Sequence, residues 1–373
     1  MSDHPQVPLL DVRAQIAGIR EPLLKAVEDV LIGGQWILGP AVRELEGRLG
    51  RYLSVPHAVG VASGTDALLV ALRAAGCGPG AEVVVPSYSF FATAGAVVNC
   101  GARPVFVDID PATYNMAPGQ LEAALTSRTR AVMPVHLFGQ TADMGPILEL
   151  CRARSIPVIE DAAQAIGATW GQTPIGGIGD LGCFSFYPSK NLGGAGDGGL
   201  ITTRSDELAE RVRMLRVHGS KQKYHHEVVG YNSRLDSLQA AILNVKLDHL
   251  DRWTEGRARN AARYSAAFAD LPAIGVPIES GQGRHVWNQY VIRARRGSRD
   301  DLQGFLRERG IGTEIYYPIP LHRQACFSHL DYREGSLPAS EAAARETLAL
   351  PIYPELTDAQ TQHVIDTVRQ WAA

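Results

Sequence analysis

Ala58-Val59-Gly60-Val61-Ala62-Ser63-Gly64-Thr65-Asp66-Ala67-Leu68 opens as a short apolar strand, turns at Ser63-Gly64 and continues at helical spacing to Ala75. A strand, a tight turn and a helix start in so few residues is the unit from which helix-covered sheets are built. Amides in a first helical turn have no partner inside the helix, and the Ser63 and Thr65 hydroxyls lie beside them, so the turn suits a phosphate. Read locally, simple capping by Ser63 or Thr65 is the more ordinary role.

The same unit recurs outward from this stretch. Glu82–Pro86, Pro104–Asp108, Ala131–Val135 and Pro157–Glu160 read as short buried strands, with helices over Phe90–Asn99, Leu121–Leu125 and Met144–Arg154 between them. Near-continuous apolar strands alternating with helices imply a mostly parallel sheet covered on both faces. Ligands gather at the carboxyl ends of such strands. Asp161, in Glu160-Asp161-Ala162-Ala163-Gln164-Ala165, sits just past one of these ends among small residues. A helix cap or a structural ion pair explains Asp161 equally well in isolation.

A second focus is Phe184-Ser185-Phe186-Tyr187-Pro188-Ser189-Lys190-Asn191-Leu192-Gly193-Gly194-Ala195-Gly196-Asp197-Gly198-Gly199, where a lysine stands between a buried strand, Asp180–Phe186, and a cluster of glycines. Dense glycine lets backbone approach a bound group closely. A lysine in partly apolar surroundings loses basicity and becomes a nucleophile suited to an aldehyde. A solvated lysine on a glycine-rich loop is the competing reading.

Beyond this loop follow a strand at Gly199–Thr203 and a helix at Asp206–Leu215. A polar segment, Val217–Ser233, reads as a mobile or interface loop, and a long helical passage runs from Ser237 to Phe268. Composition shifts at Leu271–Pro277. A strand at Gln289–Arg293, a helix at Arg299–Arg309, a strand at Thr313–Tyr317 and a closing helix at Asp358–Trp371 suggest a small α+β lobe. Val7–Leu38, with Ile16, Ile19, Leu23, Val27, Val30 and Leu31 at helical spacing, reads as an arm along the main body, followed by a helix at Glu44–Leu53.

The 373 residues are 45% hydrophobic and 20% charged, the balance of a globular enzyme with more than one lobe. A net charge of −3 gives no reason to expect nucleic acid or an anionic membrane as partner. Cys77, Cys100, Cys151, Cys183 and Cys326 are scattered and lack metal-ligand spacing, which fits free thiols, no metal site and a cytoplasmic location. Asp3 and several early prolines do not form a signal sequence, and no run has the length of a bilayer span.

Taken in order, Ala62–Leu68, Glu160–Ala165, Phe184–Gly193, Gly230-Tyr231-Asn232-Ser233-Arg234-Leu235-Asp236 and Tyr316-Tyr317-Pro318-Ile319-Pro320-Leu321-His322 resemble the sugar aminotransferases of the DegT/DnrJ/EryC1/StrS family. The resemblance spans nearly the whole chain. It implies an α/β, aspartate-aminotransferase-like (type I) fold: an arm over 1–38, a large lobe with a mostly parallel sheet over 39–250 that binds pyridoxal 5'-phosphate, and a small C-terminal α+β lobe over 251–373.

Carried onto this sequence, the resemblance makes Lys190 the Schiff-base lysine and Asp161 the carboxylate facing the pyridine nitrogen. Gly64, Thr65 and Ser185 would hold the phosphate, Gln164 would lie near the ring hydroxyl, and Phe90, ahead of Tyr88, would stack on the ring. Asn232 matches a phosphate ligand given by the neighbouring subunit, which implies a homodimer with shared sites. The implied reaction moves an amine from L-glutamate to a dTDP- or UDP-linked keto sugar.

Tyr187, Tyr224, Tyr316, Tyr317 and His322 are candidates for the sugar pocket, and Lys221, Lys223 and Arg234 for offsetting diphosphate charge; each has an alternative reading as packing or as solvated surface. The glycine-rich loop after Lys190 resembles relatives that aminate C3, where many C4-acting ones carry a Thr-Gly-Glu-Gly-like run. Three alternatives stand beside this reading: a C4-specific aminotransferase, a dehydratase on the same scaffold, which would want histidine where Lys190 stands, and a cofactor-binding regulator without catalysis, which would bring a DNA-reading element.

Overall fold

The computed structural model describes residues 5–373, so Asp3 and the start of the expected arm lie outside the described residues. Its centre is one layer made of two sheets. Arg103–Val107, Glu82–Pro86 and Thr129–Val132 form a parallel three-stranded sheet; Ile159–Asp161, Leu181–Ser185, Gly199–Thr203 and His57–Val61 form a four-stranded one. Parallel bridges from Val132 to Val158 and from Val135 to Asp161 join the two edge to edge. Gly199–Thr203 alone runs against the rest, antiparallel to both its neighbours.

Alternation along each strand explains why helices cover both faces. Val83 and Val85 pack into one apolar cluster with helices Gly64–Ala74 and Ala92–Asn99, while Val84 faces another with helix Met144–Ala153. Beneath the lysine loop, Pro40–Tyr52 buries Val42, Leu45 and Leu49 at helical spacing against Phe184, Phe186, Leu200 and Leu243.

A second core lies under the antiparallel strands Ile274–Gly275, Tyr290–Ala294 and Thr347–Leu350, closed by Arg299–Glu308 and Asp358–Ala372. Helix Leu250–Phe268 serves both bodies, with Leu250 in the large core and Ala261, Tyr264 and Phe268 in the small one. Val7 joins the small body, donating to Gly310 O at 2.9 Å and bridging Ile311, whereas helix Arg20–Gly33 packs on Ser237–Leu247.

Several local expectations shift. The passage from Ser237 to Phe268 is two helices, Ser237–Leu247 and Leu250–Phe268, broken at Asp248-His249. Thr313–Tyr317 is not a strand; its apolar and aromatic residues pack as a loop, with one bridge from Glu314 to Ala349. The polar stretch Val217–Ser233 contains a small hairpin, Ser220–Gln222 with His225–His226. Helix Ala92–Asn99 starts two residues late because Ser89 to Phe91 turn first. Among the described residues no helix is long and apolar enough to cross a membrane, and no cluster of metal-ligating side chains occurs.

Candidate active site

Two sheet strands and one helix end converge where Ser63, Gly64 and Ser185 meet. Ser63 caps helix Gly64–Ala74 by accepting from the Asp66 amide at 3.0 Å, which leaves the Gly64 and Thr65 amides directed out of the helix end. A Cβ on Gly64 would stand 2.6 Å from the Ser185 Cβ, so glycine there lets the helix start approach the serine hydroxyl. Gly199 is confined in the same way by the Ser63 carbonyl, 2.3 Å from where its Cβ would be.

Asp161 ends its strand fully buried. Its Oδ2 accepts from the Thr93 hydroxyl at 2.7 Å and its Oδ1 from the Ala163 amide at 3.2 Å. Burial raises its pKa, opposed first by the Thr93 bond, then by the Ala163 amide, Lys190 and His136. Burial likewise brings the Lys190 amine down to about 8, with Asp161 pulling the other way. At neutral pH a useful fraction of that amine is therefore free base.

Gln164 is oriented by its neighbours. Its Oε1 accepts from the Phe138 amide at 2.6 Å, in a turn where Phe138 takes φ 59°, and its Nε2 donates to the Tyr317 hydroxyl at 3.1 Å. A carboxamide nitrogen carries two N–H groups, so a second donor remains for another acceptor. Phe90 is exposed, its ring centre 6.1 Å from that of Tyr317. Tyr88 is buried instead, its hydroxyl accepting from the Tyr317 amide at 2.9 Å and bonded to Thr347 at 2.8 Å, which favours Phe90 for stacking.

The remaining candidates divide. The Tyr317 ring stands edge-on to those of Tyr316 and Tyr88, and Tyr187 is exposed in the lysine loop. His322 is packed between Ser87 Oγ at 2.5 Å and Glu341 Oε1 at 3.1 Å, both ring nitrogens engaged, and braces two segments. Tyr224 stands exposed on the small hairpin with Lys223 over its ring, and Lys221 pairs with Glu210 at 2.6 Å. Asn232 is exposed and accepts from Arg234, while its neighbour Ser233 accepts from the Ala62 amide at 3.3 Å. Among the described residues no hydrogen bond, ion pair or ring contact joins Tyr224 or Asn232 to Lys190 or Asp161 within one chain.

Sequence reading missed the supports. Glu160 is buried and accepts from Gly176, Ile178, Gly179 and His136, tying the Asp161 strand to the turn that leads into Leu181–Ser185. Lys246, also buried, donates to Gly193 O at 2.6 Å, and Asn191 donates to Val286 O at 2.8 Å, so the lysine loop is held from two sides. Glu160 stood in plain view next to Asp161, but nothing in a strand pattern says that a glutamate will be fully enclosed.

An amide-and-hydroxyl cradle for an anion, a buried carboxylate whose charge the chain offsets incompletely, an amine of lowered basicity and an exposed aromatic ring together fit a phosphorylated, nitrogen-containing aldehyde. The fold and this constellation define a lysine-dependent transferase of the large aminotransferase class. A profile of the DegT/DnrJ/EryC1/StrS aminotransferase family matches residues 18–369, and the chain belongs to that family.

It is 49% identical to the "Pleiotropic regulatory protein" of Geobacillus stearothermophilus, with 98% of each chain covered. It is 45% identical to the "dTDP-3-amino-3,4,6-trideoxy-alpha-D-glucose transaminase" of Streptomyces venezuelae, covering 100% of this chain and 97% of the relative. The crystal structure of S. venezuelae DesV in complex with a ketimine intermediate superposes with a TM-score of 0.96 at 46% identity, over 99% of both chains.

Proposed function

We propose that this protein uses pyridoxal 5'-phosphate to transfer an amino group from L-glutamate to a dTDP- or UDP-linked 3-keto hexose. The observation that carries the reading is the buried Asp161 carboxylate, held by the Thr93 hydroxyl and the Ala163 amide within electrostatic reach of Lys190, on the sheet that carries the corner of Gly64 and Ser185; burial brings the Lys190 amine down to about 8. When bound, the cofactor supplies a carbonyl that takes up amines and a ring that draws electrons from the adjacent carbon.

The chain's own residues do the rest. Gly64 and Thr65 amides with the Ser185 hydroxyl hold the phosphate, Gln164 donates to the ring hydroxyl, and Phe90 covers one ring face. Asp161 keeps a proton on the ring nitrogen, because a carboxylate at hydrogen-bond reach favours the cationic form. Lys190 Nζ, near 8, accepts the proton that leaves the substrate carbon and returns it. Tyr187, Tyr316 and Tyr317 line the sugar side. Asn232 of a second copy completes the phosphate site, which makes the working unit a homodimer. Lobes divided as 39–250 and 251–373 place the cleft between them.

The amine goes to C3, a choice supported by the glycine-rich loop after Lys190 and by the name of the S. venezuelae relative. Incubation with a panel of dTDP- and UDP-linked keto sugars and glutamate, followed by NMR of the product, tests this: an amine on C3 is expected, and an amine on C4 with 3-keto sugars untouched overturns it. The regulatory name carried by the Geobacillus relative favours a second reading, binding without turnover. Retention of Lys190 weighs against it, and failure of every keto sugar to be aminated while the cofactor stays bound would restore it.

A further inference from the structure

The buried hydroxyls of Ser89 and Thr93 have no part in the roles above, yet they converge on Asp161. Thr93 stands in the first turn of helix Ala92–Asn99, and its Oγ1–H donates to Asp161 Oδ2 at 2.7 Å. Ser89 Oγ lies 2.8 Å from the same Thr93 oxygen. Since the threonine proton is committed to the carboxylate, the serine hydroxyl must donate to threonine, so the chain of donors runs from Ser89 through Thr93 to Asp161. Both residues are fully enclosed. The link also closes the turn that carries Phe90, between them in sequence, with the Thr93 amide donating to Phe90 O at 3.1 Å.

We infer that Thr93 is a positioning residue for the reaction: steered by Ser89, its hydroxyl holds the Asp161 carboxylate in one orientation and in its ionised form toward the cofactor ring. This rests on the role proposed for Asp161. The charged and titratable groups facing that carboxylate are Lys190 from the loop, His136 from the turn after the neighbouring strand, Cys183 from the adjacent strand and Tyr317 from the small lobe. Burial works against ionisation, and of the groups that oppose it the Thr93 bond is the largest. A hydroxyl donating to a charged acceptor in a dry site has no water to replace it when removed.

Thr93→Val keeps the shape and removes the donor; Thr93→Ser restores it. The measurements are the dissociation constant for pyridoxal phosphate across pH, and kcat and KM for the amino donor. Thr93→Val is expected to lower kcat by about 10- to 100-fold with little change in KM. It should also weaken cofactor binding most at low pH, recovering as pH rises, because the carboxyl then titrates higher. Thr93→Ser should restore both profiles.

A wild-type profile in Thr93→Val, or an equal, pH-independent loss in both variants, overturns the inference. Should Thr93→Val fail to fold, Ser89→Ala reads the same profile from one step back: a smaller loss with the same pH trend supports the inference and an unchanged profile overturns it. Asp161→Asn separates the two levels. If it retains normal affinity and turnover, the role of Asp161 falls and this inference with it; if it loses both while Thr93→Val does not, the inference about Thr93 alone falls.

Discussion

Lys190 is the residue on which the proposed chemistry turns, and its basicity makes a measurable claim. An ordinary lysine would capture an aldehyde faster with rising pH up to about 10.4; an amine brought down to about 8 by burial should level off above that value. Uptake of cofactor by the apo-protein, followed by visible absorbance, is expected to rise through about 8 and then plateau. Lys190→Ala should stay folded and lose the coloured species, and borohydride-trapped cofactor on a different lysine would refute the assignment.

Legibility at this scale was uneven for a physical reason. Lys190, Asp161 and Gly64 sit in recognisable local patterns, a glycine-flanked lysine, an acid past a strand end and a strand-turn-helix corner, each open to a plainer reading alone and pointing to a site only through the resemblance the motifs make together. Thr93, Glu160 and Lys246 act through partners distant in sequence, Thr93 on Asp161 and Lys246 on Gly193, and no local pattern announces such a contact.

At the scale of elements, helix Ser237–Leu247 does more than cover the sheet. Its Lys246 is buried with its amine on the Gly193 carbonyl, and burial, opposed by Glu355, brings that amine to about 8. In the unfolded chain both Lys190 and Lys246 hold a proton up to the ordinary value of 10.5, whereas in the fold they release it near 8. The unfolded state therefore binds more protons between about 8 and 10.5, and stability from these two groups rises with pH across that window and is penalised below it. Lys246→Met should flatten part of that slope in thermal unfolding of the apo-protein; an unchanged slope would show that the amine is not enclosed in solution.

Elements with strict period were legible, such as Gly64–Ala74 and Asp358–Ala372. Those governed by tertiary contacts were not. The break at Asp248-His249 interrupts a sequence whose apolar spacing continues, and the loop Thr313–Tyr317 has strand-forming residues but gives up its ladder to the packing of Tyr316 and Tyr317 around Tyr88.

At the scale of the whole molecule, several large apolar side chains face outward. Leu24, Leu31, Ile32, Trp36 and Ile37 on the arm, with Val228 and Val229 after the hairpin, remain open to solvent in one chain, a liability that a second copy would remove. If Asn232 serves the opposite site, Lys190→Ala and Asn232→Ala subunits, each inactive alone, should recover activity when mixed. Each hybrid then keeps one intact site, giving about a quarter of wild-type activity after free exchange. A stable, active monomer in sedimentation would exclude shared sites.

The lone antiparallel strand has a consequence for how such enzymes diversify. Because Leu181–Ser185 and Gly199–Thr203 are paired neighbours, with Ser185 opposite Gly199, the lysine loop is the tip of a hairpin whose two ends the sheet holds at constant separation. Near the lysine its supports are particular, with Asn191 reaching Val286 O through its own carboxamide and Gly193 leaving no room for a Cβ, 2.4 Å from the Pro188 carbonyl oxygen; further on, Gln239 grips only the Ala195 amide. Changes of length or sequence in this segment are therefore best absorbed at its exposed stretch, residues 195–197, while the sheet, the carboxylate and the phosphate corner stay as they are.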